Sequence, residues 1–129
     1  MREAAIPKIV ALVFVGGGVG ALVRELLMLQ VPAGPDGFPV DIFVANIVGS
    51  FVLGVVAALQ ARRRIGDGTN ALFGIGFCGG LTTFSSFVYA SVVLAEKSPQ
   101  GIVVVSCYVL LSVLVGYLAL RIGQRIGGA

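Results

Sequence analysis

An all-α integral membrane protein with four transmembrane helices, the third broken at its centre, is the fold this sequence predicts. Three observations predict it: the composition, four long apolar runs, and the stretch GFCGGLTTFSSF from Gly76 to Phe87. Of 129 residues, 57% are hydrophobic and 12% charged, and the mean hydropathy is +1.04. A soluble domain carries about a quarter charged residues, so half that share points to a chain solvated by lipid. The runs are Ile9 to Leu29, Ile42 to Leu59, Ala71 to Ala95 and Gly101 to Leu120. Each approaches or exceeds the ~20 residues that span a bilayer's roughly 30 Å of hydrocarbon as a helix. Barrel strands alternate over only ~10 residues. A single domain over residues 1–129 is expected, without an internal repeat.

The first run follows Arg2 and Lys8, as the core of a signal peptide would. It continues past Arg24 and Glu25 into LLMLQ with no persuasive cleavage site before the charges, so a retained helix is expected. Its GGGVGALVRE, Gly16 to Glu25, lacks the preceding strand that a phosphate-binding loop requires. Close helix packing through Gly16, Gly17, Gly18 and Gly20 is the better account. Arg24, near the helix end, can snorkel to the interface or face a water-filled vestibule and attract anions. The loop VPAGPDGFPVD, Val31 to Asp41, has three prolines and two glycines and leads into the second run.

The second helix carries Asn46 and Ser50 on one face, four apart. At membrane depth an amide either glues helices, at ~0.6–2 kcal/mol, or lines a polar path; position alone leaves both open. The basic turn ARRRIGDGTN, Ala61 to Asn70, follows. After the third run, EKSPQ (Glu96 to Gln100) makes a tight polar turn. The fourth helix repeats the i, i+4 polar pair with Tyr108 and Ser112. Cys78 and Cys107 both lie in apolar runs and read as small apolar fillers. With no histidine, most metal and proton-relay schemes are excluded. The small scattered excess of positive charge, +3, argues against a nucleic-acid surface.

The third run asks for the most explanation. Gly79, Gly80, Thr82, Thr83, Ser85 and Ser86 oppose a continuous helix here, and unwound backbone in hydrocarbon is costly unless protein, ion or water satisfies it. Broken helices offer free carbonyls to cations and half-helix N-termini to anions. No acid lies in this stretch, so a cation would be held by backbone oxygens. Phe84 and Phe87, three apart, share a face. They are either packing residues or ring edges, which are weakly positive and suited to a small bare anion.

At this point the motifs resemble a known family. GFCGGLTTFSSF looks like the signature of the Fluc (CrcB) fluoride channel family, GGGVGALVRE like its first helix, and ANIVGSFVLG like its Asn-bearing second helix; the likeness covers the whole chain. The resemblance implies a fluoride-selective channel in a bacterial cytoplasmic (inner) membrane. It implies a dual-topology, antiparallel homodimer with two fluoride paths and a structural sodium ion at the interface. It assigns Asn46, Phe84 and Phe87 to the pore. Ser85 and Ser86, with Tyr108 and Ser112, fall on its hydroxyl track, and Arg24 matches the basic residue near the vestibule. The main-chain carbonyls of Gly79 and Thr82 match its sodium ligands. Three features depart from the family's pattern: Asp41-Ile42 where relatives often read Gly-Thr, Ala90 where an acid is common, and the charge bias. One side of the membrane would hold Arg2, Lys8, Arg62, Arg63, Arg64, Arg121 and Arg125, the other Lys97. That asymmetry favours cytoplasmic termini and admits pairing with an oppositely oriented relative.

Two other classes compete. A proton-coupled small multidrug transporter needs a membrane-embedded carboxylate, and Glu25 is the only carboxylate in any run. A non-transporting scaffold explains the packing glycines but leaves the Asn, Phe and hydroxyl set without a purpose. No nucleophile, base or metal constellation supports an enzyme.

Overall fold

The computed structural model describes residues 2–97 and 99–129, without the side chains of residues 2–5 and 36. Ser98, in the predicted Glu96–Gln100 turn, and the Arg2 side chain lie outside the described residues. The described chain is helical and contains no strand. Its elements are α1 (Arg2–Gln30), α2 (Val40–Ala61), α3 (residues 67–81), α4 (Phe84–Glu96) and α5 (Gly101–Gly128). By length and apolarity four helices can cross a membrane: Ile6–Gln30, Val40–Ala61, Asp67–Glu96 and Gly101–Gly128.

The predicted runs locate these helices and underestimate the outer two. α5 continues eight residues past Leu120, beyond the point where Arg121, Gln124 and Arg125 end the apolar run. Packing extends it. Gly123 and Gly127 lie so close to α2 that a methyl on either would press on the Phe51 or Val55 carbonyl, and one at Gly54 would strike the Leu120 carbonyl.

A second glycine seam joins α1 to α3. A Cβ at Gly16 would collide with the Leu72 carbonyl, at Gly20 with the Phe77 carbonyl, at Gly76 with the Val13 carbonyl and at Gly80 with the Gly17 carbonyl. Small residues four apart on both helices therefore bring the two backbones together, the usual route to helix association where lipid removes the hydrophobic drive. The expectation that Gly18 belongs to this packing is corrected: it is exposed, with nothing within 4 Å of an added Cβ. One residue's rotation past Gly17 carries it off the seam.

α3 is wound in three ways. Asp67–Thr69 is α-helical, Asn70–Phe77 is π-helical and Cys78–Leu81 returns to α; the Cys78 amide bonds to the Phe73 carbonyl five residues back. Such widened turns are rare and recur at functional sites. Cys78 is buried as predicted for an apolar filler, but Cys107 is exposed; it lies on the outward face of α5 and fills nothing in this chain. Large apolar side chains such as Phe14, Leu29 and Ile102 also point outward, as expected where lipid is the solvent.

Candidate functional site

The α3–α4 junction is where helical bonding fails. Thr82 (φ −78°, ψ 153°) and Thr83 (φ −144°, ψ 116°) are extended. An interrupted helix leaves carbonyls at one end and amides at the other without intrahelical partners, and within a membrane each must be matched. The Thr82 amide and hydroxyl both donate to the Cys78 carbonyl, at 3.0 and 2.8 Å. The Thr83 amide, which a continuous helix would direct to Gly79, donates instead to Asn46 Oδ1 at 2.7 Å. Asn46 Nδ2 donates back to the Thr83 carbonyl at 3.2 Å. One side chain of α2 thus completes both backbone groups of Thr83.

Arg24 serves the other face of the gap. Its Nη1 donates to the Gly80 carbonyl at 2.9 Å and lies 3.5 Å from the Thr82 carbonyl. A guanidinium suits this place, since the C-terminal end of a helical segment carries partial negative charge. Arg24 reaches inward to the interruption; it does not snorkel.

Thr83 starts α4. Its hydroxyl accepts from the Ser86 amide at 3.2 Å and donates to Ser86 Oγ at 3.0 Å, with Ser85 Oγ 3.3 Å away. This is an N-cap in a side chain only 7% exposed. From the sequence Thr83 reads as one of several hydroxyls that weaken the helix and satisfy freed backbone or line the path, without a cap assigned to it. A hydroxyl residue immediately before an apolar helix was the available signal.

A cleft of about 480 Å³ opens beside the interruption. Asn46, Ser50, Gly79, Thr82, Phe84, Phe87 and Ser112 are among its lining residues. The Phe84 and Phe87 ring centroids are 6.1 Å apart with planes inclined by 30°. The sequence model of the family described as CrcB-like protein, Camphor Resistance (CrcB), matches residues 11–124, which include all of these positions. The chain belongs to the CrcB-like family.

Relatives of this CrcB-like chain include a protein named fluoride-specific ion channel FluC 3 from Yersinia pseudotuberculosis. It is 45% identical over 121 residues, which cover 94% of this chain and 90% of the relative. Proteins named fluoride-specific ion channel FluC 1 from Brucella abortus and FluC 2 from Brucella melitensis are each 47% identical over 119 residues. Those matches cover 92% of this chain and 44% of the Brucella proteins, so the chain spans less than half their length.

The cleft of this CrcB-like chain gathers Asn46, Gly79, Thr82, Phe84, Phe87 and Ser112 from the predicted set. Ser85 and Ser86 are not on its wall; both turn to the Thr83 hydroxyl. Tyr108 is fully buried behind Phe87, with ring centroids 5.2 Å apart. Among the described residues, the buried Tyr108 hydroxyl and Ser112 Oγ have no hydrogen-bond partner. Ser50 donates to the Asn46 carbonyl at 2.8 Å, the self-bonding common for serine within helices.

Proposed function

We propose that this chain forms a fluoride-selective channel whose conducting path runs through the cleft beside Thr82 and Thr83. The observation that carries the reading is the make-up of that wall. It combines an amide, hydroxyls and two phenylalanine rings, with no ionised side chain among its lining residues. Fluoride is small and strongly hydrated. A path that conducts it needs donors and positive ring edges to replace water, and must stop short of a full charge that would trap the ion. The names of the relatives support the same ion. In this reading Phe84 and Phe87 offer edges, the free hydroxyl of Ser112 donates to the passing ion, and Tyr108 supplies a second donor deeper in the wall. Asn46 holds the interruption open and turns its remaining amide proton to the path. Ion channels catalyse no covalent step, so no enzyme activity is assigned.

The interruption also fits a structural sodium ion. Gly79 loses its helical donor when the Thr83 amide turns to Asn46, and Thr82 loses its own because the Ser86 amide caps onto Thr83. The Gly79 carbonyl is thereby left to a hard cation, and the Thr82 carbonyl, held only by a long 3.5 Å contact from Arg24, can turn to the same ion. A sodium ion there would supply positive charge against the end of α3. Gly79 is exposed and Phe84 is 77% exposed, which suits an antiparallel partner contributing the matching pair. That partner is a second copy in the bacterial cytoplasmic membrane; the basic bias toward one side makes an oppositely oriented relative the competing outcome of a cross-linking test.

Liposomes loaded with potassium fluoride and reconstituted with the protein test the reading. Fluoride is expected to leave far faster than chloride from matched vesicles. Equal loss of the two anions, or none of fluoride, would contradict it.

A further inference from the structure

The rings of the cleft do not end at Phe87. Phe87 meets Tyr108, and Tyr108 meets Phe38 of the α1–α2 connection at 5.2 Å with planes at 88°. Phe38 in turn meets Phe43 of α2 at 6.1 Å and 64°. A file of five rings therefore runs from the cleft to a loop, and its middle member is a fully buried phenol beside the Ser112 hydroxyl, with no hydrogen bond of good geometry among the described residues. A donor left unmatched in a dry site is destabilising unless a ligand uses it.

The loop is built to hold Phe38 still. The amides of Gly34 and Val40 both donate to the Phe38 carbonyl, at 2.8 and 2.9 Å, and the Phe38 amide donates to the Pro35 carbonyl at 3.1 Å. Every backbone polar group of this one residue is thus engaged. Pro35 and Pro39 restrict the backbone around it, and Gly37 takes φ +77°, a left-handed turn that suits glycine. The Lys97 ammonium, from the α4–α5 connection, lies against Gly37. A connection that only joined two spans would not need such fixation.

We propose that Phe38 is the positioning residue for Tyr108: its ring holds the phenol in place and closes the Lys97 end of the file to water. The transport part of this inference rests on the fluoride reading; the closure does not. Three variants test it: Phe38→Ala removes the ring, Phe38→Leu keeps apolar bulk without it, and Phe38→Tyr keeps it. Tyrosine nitration by tetranitromethane, mapped by mass spectrometry, reads closure as the Tyr108 yield in each variant against the yield in detergent-denatured protein. Tyr108 is expected to stay unmodified in the wild type and in Phe38→Tyr, and to react in Phe38→Ala. Fluoride efflux in unmodified samples should fall by about tenfold or more in Phe38→Ala and Phe38→Leu, the loss expected when one transition-state donor is misplaced, and recover in Phe38→Tyr. Tyr108 protection that survives Phe38→Ala, or wild-type efflux in Phe38→Leu, would overturn the proposal. If Phe38→Ala does not fold, Phe38→Leu decides. Absence of fluoride flux in the wild type would sink the fluoride reading alone and leave nitration to judge the closure.

Discussion

Gly79 and Gly80 are neighbours in the chain and belong to two different regions. Gly80 sits in the α1–α3 seam, where any side chain would strike the Gly17 carbonyl. Gly79 faces open space, with nothing within 4 Å of an added Cβ. Through most of the seam glycine only lets the backbones approach; Gly80 is where the seam ends, since its carbonyl already takes the Arg24 guanidinium. At the interruption, which begins at Thr82, backbone groups have lost their helical partners and take side chains from elsewhere: Asn46 from α2 and Arg24 from α1. In the proposed reading the contrast separates packing from ion handling. Substitutions in the seam should act through stability, and those at the interruption through stability and conduction together.

The largest effect is expected from Asn46→Leu. It orphans the amide and the carbonyl of Thr83, at ~1–3 kcal/mol for each buried group. Unfolding in detergent should shift by ~2–6 kcal/mol on that basis, with conduction lost in whatever protein remains folded. Next comes Gly76→Ala, in the seam and away from the Arg24 contact. Forcing a methyl into backbone contact should cost ~1–3 kcal/mol, read in the same unfolding assay, with the surviving channel conducting normally. A Gly76→Ala protein that is stable yet non-conducting would break the distinction between the two regions.

Arg24→Gln is expected to cost ~1.5 kcal/mol, the lower end for a hydrogen bond from a charged donor. It should also increase amide exchange at Phe84 and Ser85, measured by hydrogen–deuterium exchange. Arg24→Lys should recover part of the stability, because an ammonium keeps the charge and one donor without the guanidinium's reach. The smallest effect is expected from Gly18→Ala. Gly18 is exposed in the same glycine run and lies inside α1, so alanine there should only raise stability, by ~0.5–1 kcal/mol of helix propensity, with conduction unchanged.

Four spans were legible because apolar runs of bilayer length leave little alternative. The glycine run of α1 was legible as packing, but its register was not. Period 3.6 admits Gly16, Gly17 and Gly20 toward a neighbour, and which neighbour rotates Gly18 away depends on α3. The π-helical winding of Asn70–Phe77 left no mark in hydropathy, since it moves residues around the axis without changing their character. Asn46 illustrates the limit of a one-dimensional reading. Its depth made it notable, but its partner lies 37 residues away, and only the folded chain shows that both ends of its amide meet Thr83. Arg24 is a related case. Near a helix end both snorkelling and a vestibule are open, and the carbonyl that draws its guanidinium inward belongs to a segment 56 residues on. Tyr108 and Ser112 were visible as polar residues four apart, but not that Ser112 would line the cleft while Tyr108 is buried behind Phe87; Phe38 went unnoticed in a loop whose prolines suggested only a connection.

The central claim is that Phe84 and Phe87 act on the ion and do more than pack, and fluoride efflux from liposomes carrying Phe84→Ile or Phe87→Ile tests it most directly. Isoleucine keeps apolar bulk and removes the ring quadrupole, at a packing cost of at most ~1.5 kcal/mol. The account predicts folded, monodisperse protein whose fluoride efflux collapses in both variants. Wild-type efflux in both would contradict it and return the two rings to the hydrophobic core.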